Sequence, residues 1–222
     1  PKSFLMASSA AHMTPQERTS SFSLASIFAL RMFGLFIILP VFAVYARELP
    51  GGDSETLVGI TLGIYGLTQG LLQIPFGVAS DRLGRKPVII FGLIIFALGS
   101  FLAASGANIW IVMLGRMLQG AGAISAAVTA FIADSVRVQV LTKAMAMVGA
   151  SIDLTFALSL LISPPLTKLW GVSGLFTLTG ISALIAVLVV KFVVPPAPQS
   201  AIDEKSEHRS WRKVVCDPQL VR

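Results

Sequence analysis

The sequence is short of cysteine, histidine and charge. Its one cysteine, Cys216, excludes a disulfide framework and a cysteine-based metal site, and His12 and His208 lie in polar flanks where we interpret both as solvated. Only 13% of the residues are charged, whereas 55% are hydrophobic, which leaves too little charge to cover the surface of a soluble domain. The chain is therefore predicted to be a membrane protein.

Catalytic patterns are missing as well. The sequence contains no nucleophile–base pair, no cluster of metal ligands and no phosphate-binding loop. We accordingly expect no enzyme activity, no cofactor and no metal.

Long apolar runs are the main feature that is present. A spanning helix needs about 20 mostly apolar residues, because a rise of about 1.5 Å per residue must cross about 30 Å of hydrocarbon. Six such runs lie at about 22–45, 57–80, 87–105, 109–133, 144–166 and 174–194. Their short connections predict one six-helix bundle over 22–194, between a flexible cytoplasmic N-terminus (1–21) and a cytoplasmic linker (195–222).

The formal net charge of +6 follows from the placement of the basic residues. If the N-terminus is cytoplasmic, only Arg47 and Lys168 of the 17 basic residues fall in outer loops, and Arg31 and Arg116 fall inside spans. This positive-inside bias predicts that both termini are cytoplasmic. It also explains the basic balance, so we expect the lipid bilayer, rather than nucleic acid, as the partner of these charges.

The second predicted helix carries two adjoining faces. Tyr65, Gln69 and Gln73 recur at every fourth position and form a polar edge, which either lines a cavity or makes interhelical hydrogen bonds. Small residues form the neighbouring stripe, which predicts a tight helix–helix seam. The stripe consists of Gly59, Gly63, Gly66, Gly70 and Gly77.

A charged turn separates the second and third runs. Arg82, Arg85 and Lys86 need only serve as a topological anchor, but Asp81 lies at a helix C-terminus, where an acid is disfavoured by a few tenths to about 1 kcal/mol. Asp134 ends the fourth helix on the same membrane face. Both acids are explained if they share Arg85, and such a network could form in one conformation and break in another.

Three ionisable residues lie deep inside predicted spans, namely Arg31, Arg116 and Asp153. Each costs a few kcal/mol by insertion scales and should face a cavity or a partner. Gln119 shares the face of Arg116 at three residues' distance. Asp153 is the one acid near mid-membrane, and we interpret it as a proton carrier, as a polar group in the cavity, or as a static partner of Arg31 or Arg116.

The segment "GVASDRLGRK", Gly77 to Lys86, resembles the G-x-x-x-D-R-x-G-R-[RK] signature of the major facilitator superfamily, in the position between helices two and three where that family has it. "LGRMLQGAGA" resembles the family's second motif, with Arg116 as its membrane arginine. The first two helices are similar to those of YajR-like bacterial proteins in the drug:proton antiporter group.

The resemblance implies an all-α membrane protein whose six transmembrane helices form the N-terminal half of a twelve-helix fold. The turn, including Gly84, would then be a conformational latch, in which Arg85 pairs with Asp134 and Asp81 faces a missing C-terminal half. Arg116 would line the central path and influence proton coupling. The implied protein is an inner-membrane, proton-coupled efflux transporter of small lipophilic or amphiphilic compounds.

One departure from the family concerns the fifth predicted helix. "SLLISPPLTK" keeps only Pro164 of the antiporter motif G-x-x-x-G-P-x-x-G-G, and Pro165 adds a second helix breaker, so we expect a kink or an end here. A proton-linked importer of a small metabolite therefore stays open as an alternative. A six-helix channel or a non-transporting membrane scaffold is the alternative from another class.

Overall fold

The computed structural model describes residues 13–194, and all regular structure in that range is α-helical. The helices are α1 (Pro15–Phe36), α2 (Leu39–Arg47), α3 (Glu55–Leu83), α4 (Arg85–Ser105), α5 (Ile109–Ala121), α6 (Ser125–Ser135) and α7 (Val138–Phe192). Five helical stretches are long and apolar enough to cross a membrane: α1 with α2, α3, α4, α5 with α6, and α7. The predicted all-helical membrane fold is confirmed. The predicted spans 144–166 and 174–194 both lie in α7, on either side of a non-helical residue, Gly171.

The first helix begins earlier than expected. Thr14 caps α1: its Oγ1 accepts a hydrogen bond from the Glu17 backbone N–H at 3.2 Å, and Glu17 Oε2 accepts one from the Thr14 N–H at 2.8 Å. This reciprocal capping box satisfies two donors that a helix start leaves free. Residues 15–21, predicted to be flexible, are therefore helical, and the helical bundle begins at Pro15 rather than at residue 22.

The first predicted span is interrupted at Ile37 and Ile38, between α1 and α2. Pro40 has no backbone N–H to donate, and the N–H of Val41 bonds to the Ile38 carbonyl at 3.3 Å. The carbonyl of Ile37 instead accepts a hydrogen bond from the hydroxyl of Ser163 at 2.5 Å. A side chain of α7 thus supplies the partner that the proline region withholds.

The fourth predicted span is also interrupted, between α5 and α6. Gly122 has non-helical backbone angles (φ −74°, ψ 52°), and the N–H of Ile124 bonds to the Gly122 carbonyl at 2.9 Å. A Cβ at Gly122 would lie 2.4 Å from the carbonyl oxygen of Gly92 on α4. The break therefore lies where two backbones approach closely.

The break in α7 lies at Gly171 and not at the prolines. The helix continues through Pro164 and Pro165, and its backbone leaves the helical region at Gly171 (φ 66°, ψ 177°). A positive φ is accessible to glycine without a Cβ penalty. The expected end of the helix at the prolines is therefore wrong, because a membrane helix tolerates proline where neighbouring groups satisfy the backbone. The alternative, a kink at the prolines, stays a prediction.

The chain reverses direction at Gly171. In the first arm of α7, Ser151 contacts the Ala25 carbonyl and Ser163 contacts the Ile37 carbonyl, two pairs with the same separation of 126 residues, so this arm runs parallel to α1. In the second arm, Ser173 contacts Tyr45 and Thr179 contacts the Gly34 carbonyl, an order that runs the opposite way. The two arms are therefore antiparallel to each other.

The bundle has two ends, which we name after a residue at each. The Arg85 end contains the start of α1, the turn between α3 and α4, and both termini of α7. The Gly171 end contains the end of α2 and the starts of α3 and α5. An apolar cluster fills each end, with Leu24, Phe28 and Phe131 in the first and Ile37, Phe42 and Phe176 in the second.

Helix α3 is the least covered of the five candidate spans. Of its apolar segment, 17% is buried inside the bundle, against 39–56% for the other four spans. A Cβ added at any of the first four stripe glycines, Gly59, Gly63, Gly66 and Gly70, would meet nothing within 4 Å. The predicted seam therefore does not form within residues 13–194, because the stripe faces away from the bundle. Gly77 alone of the five meets a neighbour, Ala126, at 3.6 Å.

The close backbone contacts lie between α4 and α5 instead. A Cβ at Gly99 would lie 2.5 Å from the backbone N of Gln119 and 2.7 Å from the carbonyl oxygen of Gly115. Both contacts are with backbone atoms, which cannot rotate away. This crossing holds α5, and with it Arg116 and Gln119, at a fixed distance from α4.

Candidate functional site

Arg85 is the centre of a polar network at the Arg85 end. Its guanidinium is 8% exposed and contacts two acids: Nη1 lies 2.7 Å from Oδ1 of Asp81, and Nε donates to Oδ2 of Asp134 at 2.9 Å. Nη1 also donates to Ser80 Oγ at 2.7 Å. One cation thus joins the end of α3, the start of α4 and the end of α6.

The turn that positions Arg85 depends on Gly84. This residue has a φ of 94°, a value that residues with a Cβ rarely adopt, and it ends α3 and caps the start of α4. Pro87 follows in the first turn of α4, where a missing N–H leaves no helical bond unmade. The turn therefore brings Asp81, one helical turn before Arg85, against its guanidinium.

The remaining residues of the predicted gate differ in their surroundings. The carbonyl of Gly77 accepts a hydrogen bond from the Ser80 hydroxyl at 2.8 Å, and this bond orients Ser80 toward Arg85. Lys86 Nζ donates to the carbonyl of Val194, just beyond the end of α7. Arg82 is exposed and makes no ion pair with an acid in the described range 13–194. Arg82 thus differs from Arg85 and Lys86, whose side chains bind partners within the bundle.

A second ion pair at this end was missed by the sequence analysis. Oε1 of Glu17 accepts hydrogen bonds from the backbone N–H and the Nε of Arg137, at 3.0 and 2.8 Å, and Oε2 accepts from Nη2 at 3.1 Å. Glu17 is buried, and its carboxylate raises the pKa of the Arg137 guanidinium through these hydrogen bonds. The pair ties the start of α1 to the residue that caps α7.

Replacing Glu17 with glutamine should lower the free energy of unfolding by about 2 kcal/mol, because charge-assisted hydrogen bonds to a buried carboxylate are lost. Glu55→Gln is the matched control, since Glu55 pairs with Arg47 at 3.0 Å but both side chains are largely exposed. We expect it to change stability by less than about 0.5 kcal/mol. Denaturation in detergent, monitored by circular dichroism, compares the two variants. Equal losses of unfolding free energy would contradict the assigned role of Glu17.

A second polar cluster lies inside the bundle, around Arg31. This arginine of α1 is 1% exposed and donates to three neutral acceptors: Ser125 Oγ at 3.3 Å, Gln69 Oε1 at 3.0 Å and the Gly122 carbonyl at 3.2 Å. The carbonyl is available because the helix is interrupted there. Arg31 thus connects α1 to α3 and to the break between α5 and α6.

Arg116 lies in the same cluster and is also 1% exposed. Its Nη1 donates to Gln119 Oε1 at 2.9 Å, and Gln119 Nε2 donates to Ser100 Oγ at 2.8 Å. Ser100 in turn donates to the Phe96 carbonyl at 2.8 Å, so this chain of bonds holds the Gln119 oxygen toward Arg116. Ser100 is a further member that the sequence pattern did not reveal.

Tyr65 lies between the two arginines. Its ring centroid is 4.7 Å from Cζ of Arg116 and 5.9 Å from Cζ of Arg31. Phe96 adds a second ring, 5.5 Å from Cζ of Arg31. Both guanidiniums therefore lie against aromatic rings, an arrangement that attracts cations.

Not every predicted path residue joins this cluster. Tyr65 and Gln69 make the interhelical contacts that were one interpretation of the polar edge, whereas Gln73 is half-buried on the same helix and outside the cluster. Asp153 is exposed on the first arm of α7 and pairs with neither Arg31 nor Arg116. The interpretation of Asp153 as a static partner of these arginines is therefore not realised in this conformation.

The family model described as Major Facilitator Superfamily matches residues 24–221. The chain belongs to the major facilitator superfamily. Within this family it is 45% identical over 212 residues to the inner membrane transport protein YajR of Escherichia coli K12, an alignment that covers 95% of this chain. The resemblance drawn from the turn motif is thus confirmed, and the family and these relatives are transporters rather than enzymes.

Two further similarities extend this result. The chain is 34% identical over 137 residues to the class B tetracycline resistance protein of Escherichia coli, which covers 61% of this chain and 33% of that protein. The human organic anion transporter MFSD10 has a similar fold, with a TM-score of 0.72 at 19% identity, over 84% of this chain and 50% of the other. The chain spans 46% of the length of YajR, about half of a transporter in this family.

Proposed function

We propose that this chain forms the first six-helix half of a secondary active transporter, which exports small lipophilic or amphiphilic compounds in exchange for protons by alternating access. The observation that carries the proposal is the Arg85 network, in which one buried cation is shared by acids on α3 and α6. A gate of this kind holds one conformation closed while intact and releases it when broken.

Six membrane spans are part of this proposal. The antiparallel arms of α7 support it, because 55 residues at about 1.5 Å each would be far longer than one bilayer crossing. An even number of spans returns the end of α7 to the side on which α1 begins. The positive-inside bias of the basic residues favours the cytoplasm for that side.

A second six-helix half is the proposed partner of the uncovered face of α3. The exposed glycines there would let another helix approach closely, as small residues do in lipid. The chain's coverage of about half of its relatives is consistent with this arrangement. Asp81, whose side chain is 53% exposed, is the proposed contact of the Arg85 network with that half.

The direction of transport rests on a relative. The similarity to a tetracycline resistance protein favours efflux of lipophilic or amphiphilic compounds. The test is to reconstitute the full-length protein in proteoliposomes and to follow internal pH while candidate compounds are added. Substrate and protons moving in opposite directions would support the proposal, movement in the same direction would indicate the importer, and no coupled flux would indicate a channel or scaffold.

Asp153 is the proposed proton carrier. Its exposed carboxylate lies well inside the first arm of α7, and a charge at that depth is too costly to face lipid, so it faces an aqueous cavity or the second half. Asp153→Asn should reduce substrate-driven proton flux by about tenfold or more, because the amide cannot take up and release a proton. Asp53→Asn, in the exposed turn before α3, is the control, and unchanged coupling in Asp153→Asn would exclude Asp153 from the mechanism.

A further inference from the structure

Within residues 13–194, the two buried arginines lack a counter-ion. Every hydrogen-bond acceptor of Arg31 and Arg116 is neutral: a serine hydroxyl, two glutamine amides and a backbone carbonyl. Among residues 13–194 the one acid that is buried is Glu17, which binds Arg137 at the Arg85 end. Two positive charges therefore lie around one tyrosine ring, with no carboxylate from the described part of the chain against them.

Such an arrangement is costly unless an anion completes it. Arginine stays protonated in proteins, so burial cannot remove the charge. Aromatic rings and neutral acceptors offset part of the desolvation, but a buried charge normally has a charged partner. The cluster therefore has the electrostatic character of a binding site for a negatively charged group.

Unused hydrogen-bond donors indicate where that group binds. Three buried atoms in the cluster have no hydrogen-bond partner among the residues that the structure describes, namely Arg31 Nε, Arg116 Nε and Tyr65 OH. On Arg116 the bond to Gln119 occupies Nη1, and the edge formed by Nε and Nη2 donates to no residue in the described range. This edge carries two parallel N–H groups, the geometry that matches the two oxygens of a carboxylate.

We propose that the Nε–Nη2 edge of Arg116 binds the carboxylate of a transported organic anion, with Tyr65 OH as an additional donor and Arg31 as the second positive charge. The inference rests on the proposed transport function and adds to it the chemical class of one substrate group. Both arginines are covered in this conformation, so the ligand enters when the surrounding helices separate, as alternating access requires.

Binding of benzoate to the purified full-length protein tests the proposal, in a buffer whose only other anion is methanesulfonate, which has no carboxylate. Benzoate supplies one carboxylate on an apolar body, and benzylamine has the same body with the opposite charge. We expect saturable binding of benzoate by calorimetry and none of benzylamine. Arg116→Gln should weaken benzoate binding by about 10- to 100-fold, the usual range for hydrogen bonds to charged groups.

Two milder variants keep the test decisive if Arg116→Gln does not fold. Arg116→Lys keeps the charge but loses the two-pronged edge, and Tyr65→Phe removes one hydroxyl, so each should weaken benzoate binding by about fivefold or more. Arg47→Gln, at the exposed end of α2, is the control with unchanged affinity. Thermal unfolding establishes which variants are folded.

Three results would overturn the proposal. The first is the absence of benzoate binding, as would occur if an acid of the second half occupied the edge. The second is an affinity for benzoate in the folded Arg116 and Tyr65 variants equal to that of the unsubstituted protein. The third is full displacement of benzoate by equimolar chloride, which would indicate a halide site. The proposed function fails separately: Arg116-dependent binding without coupled flux would leave the site intact, and flux of cationic compounds without benzoate binding would leave the transporter intact.

Discussion

Arg85→Ala is expected to shift the balance between inward-facing and outward-facing states by about 30-fold or more. The substitution removes the cation that contacts both Asp81 and Asp134, and charge-assisted hydrogen bonds of this kind contribute about 1.5–3 kcal/mol each. If the network is intact in only one state, a loss of about 2 kcal/mol from that state changes the equilibrium by about 30-fold. Transport should fall accordingly.

The measurement is the alkylation rate of a single cysteine in the full-length protein. Gln73→Cys, half-buried on α3, is the reporter, in a background in which Cys216 and any other native cysteine of the full-length protein are replaced by serine. The rate is compared for reagents applied from each side of the membrane. We expect the gate variant to raise the rate from one side and to lower it from the other.

Arg82→Ala is the matched control, because the motif contains both arginines but only Arg85 contacts the acids. Arg82 is exposed and lies within the same turn. Its loss should change the alkylation rates by less than about twofold, as expected for an exposed charge. Equal effects of the two substitutions would mean that the turn acts as a simple basic anchor.

Gly99→Ala is expected to destabilise the bundle by about 1–3 kcal/mol, the cost of inserting a methyl group into a packed interior. The added Cβ would lie 2.5 Å from the Gln119 backbone N, so α4 and α5 would have to move apart. Because Arg116 and Gln119 belong to α5, this movement would also displace the arginine cluster. Thermal unfolding in detergent measures the first effect, and benzoate affinity measures the second.

Gly63→Ala provides the opposite expectation. Gly63 also lies within a helix, but a Cβ there meets nothing within 4 Å. Alanine should therefore raise the stability of this chain by up to about 1 kcal/mol through its higher helix propensity. If both substitutions destabilised the chain alike, the close approach of α4 and α5 would not be what makes Gly99 necessary.

Some of the site was visible in the sequence because the residues broke a local rule. Asp81 and Asp134 are acids at helix C-termini, and Arg31 and Arg116 are charges within apolar runs, so each required a partner. Glu17 broke no such rule, since an acid in the first turn of a helix is favourable. Its partner, Arg137, is 120 residues away, and nothing in the local pattern connects the two.

The faces and breaks of helices were harder to predict than the helices themselves. The glycine stripe on α3 was a correct description of one face, but periodicity does not tell whether a face points into the bundle or out of it. Pro164 and Pro165 indicated a break by their chemistry, yet the reversal lies at Gly171, where backbone angles rather than side chains decide. Gly122 likewise interrupts a run in which no proline announces a break.

The reversal at Gly171 also determines where the polypeptide can be reached from outside the bundle. A single residue joins the two arms, so this corner offers no loop for a protease, an inserted tag or a bulky label. The turn between α2 and α3, with Gly51 at a φ of 86° and an exposed Asp53, has the room that the corner lacks. If the proposed six-span arrangement holds, we expect the arms of α7 to enter the bilayer as a unit, as one hairpin.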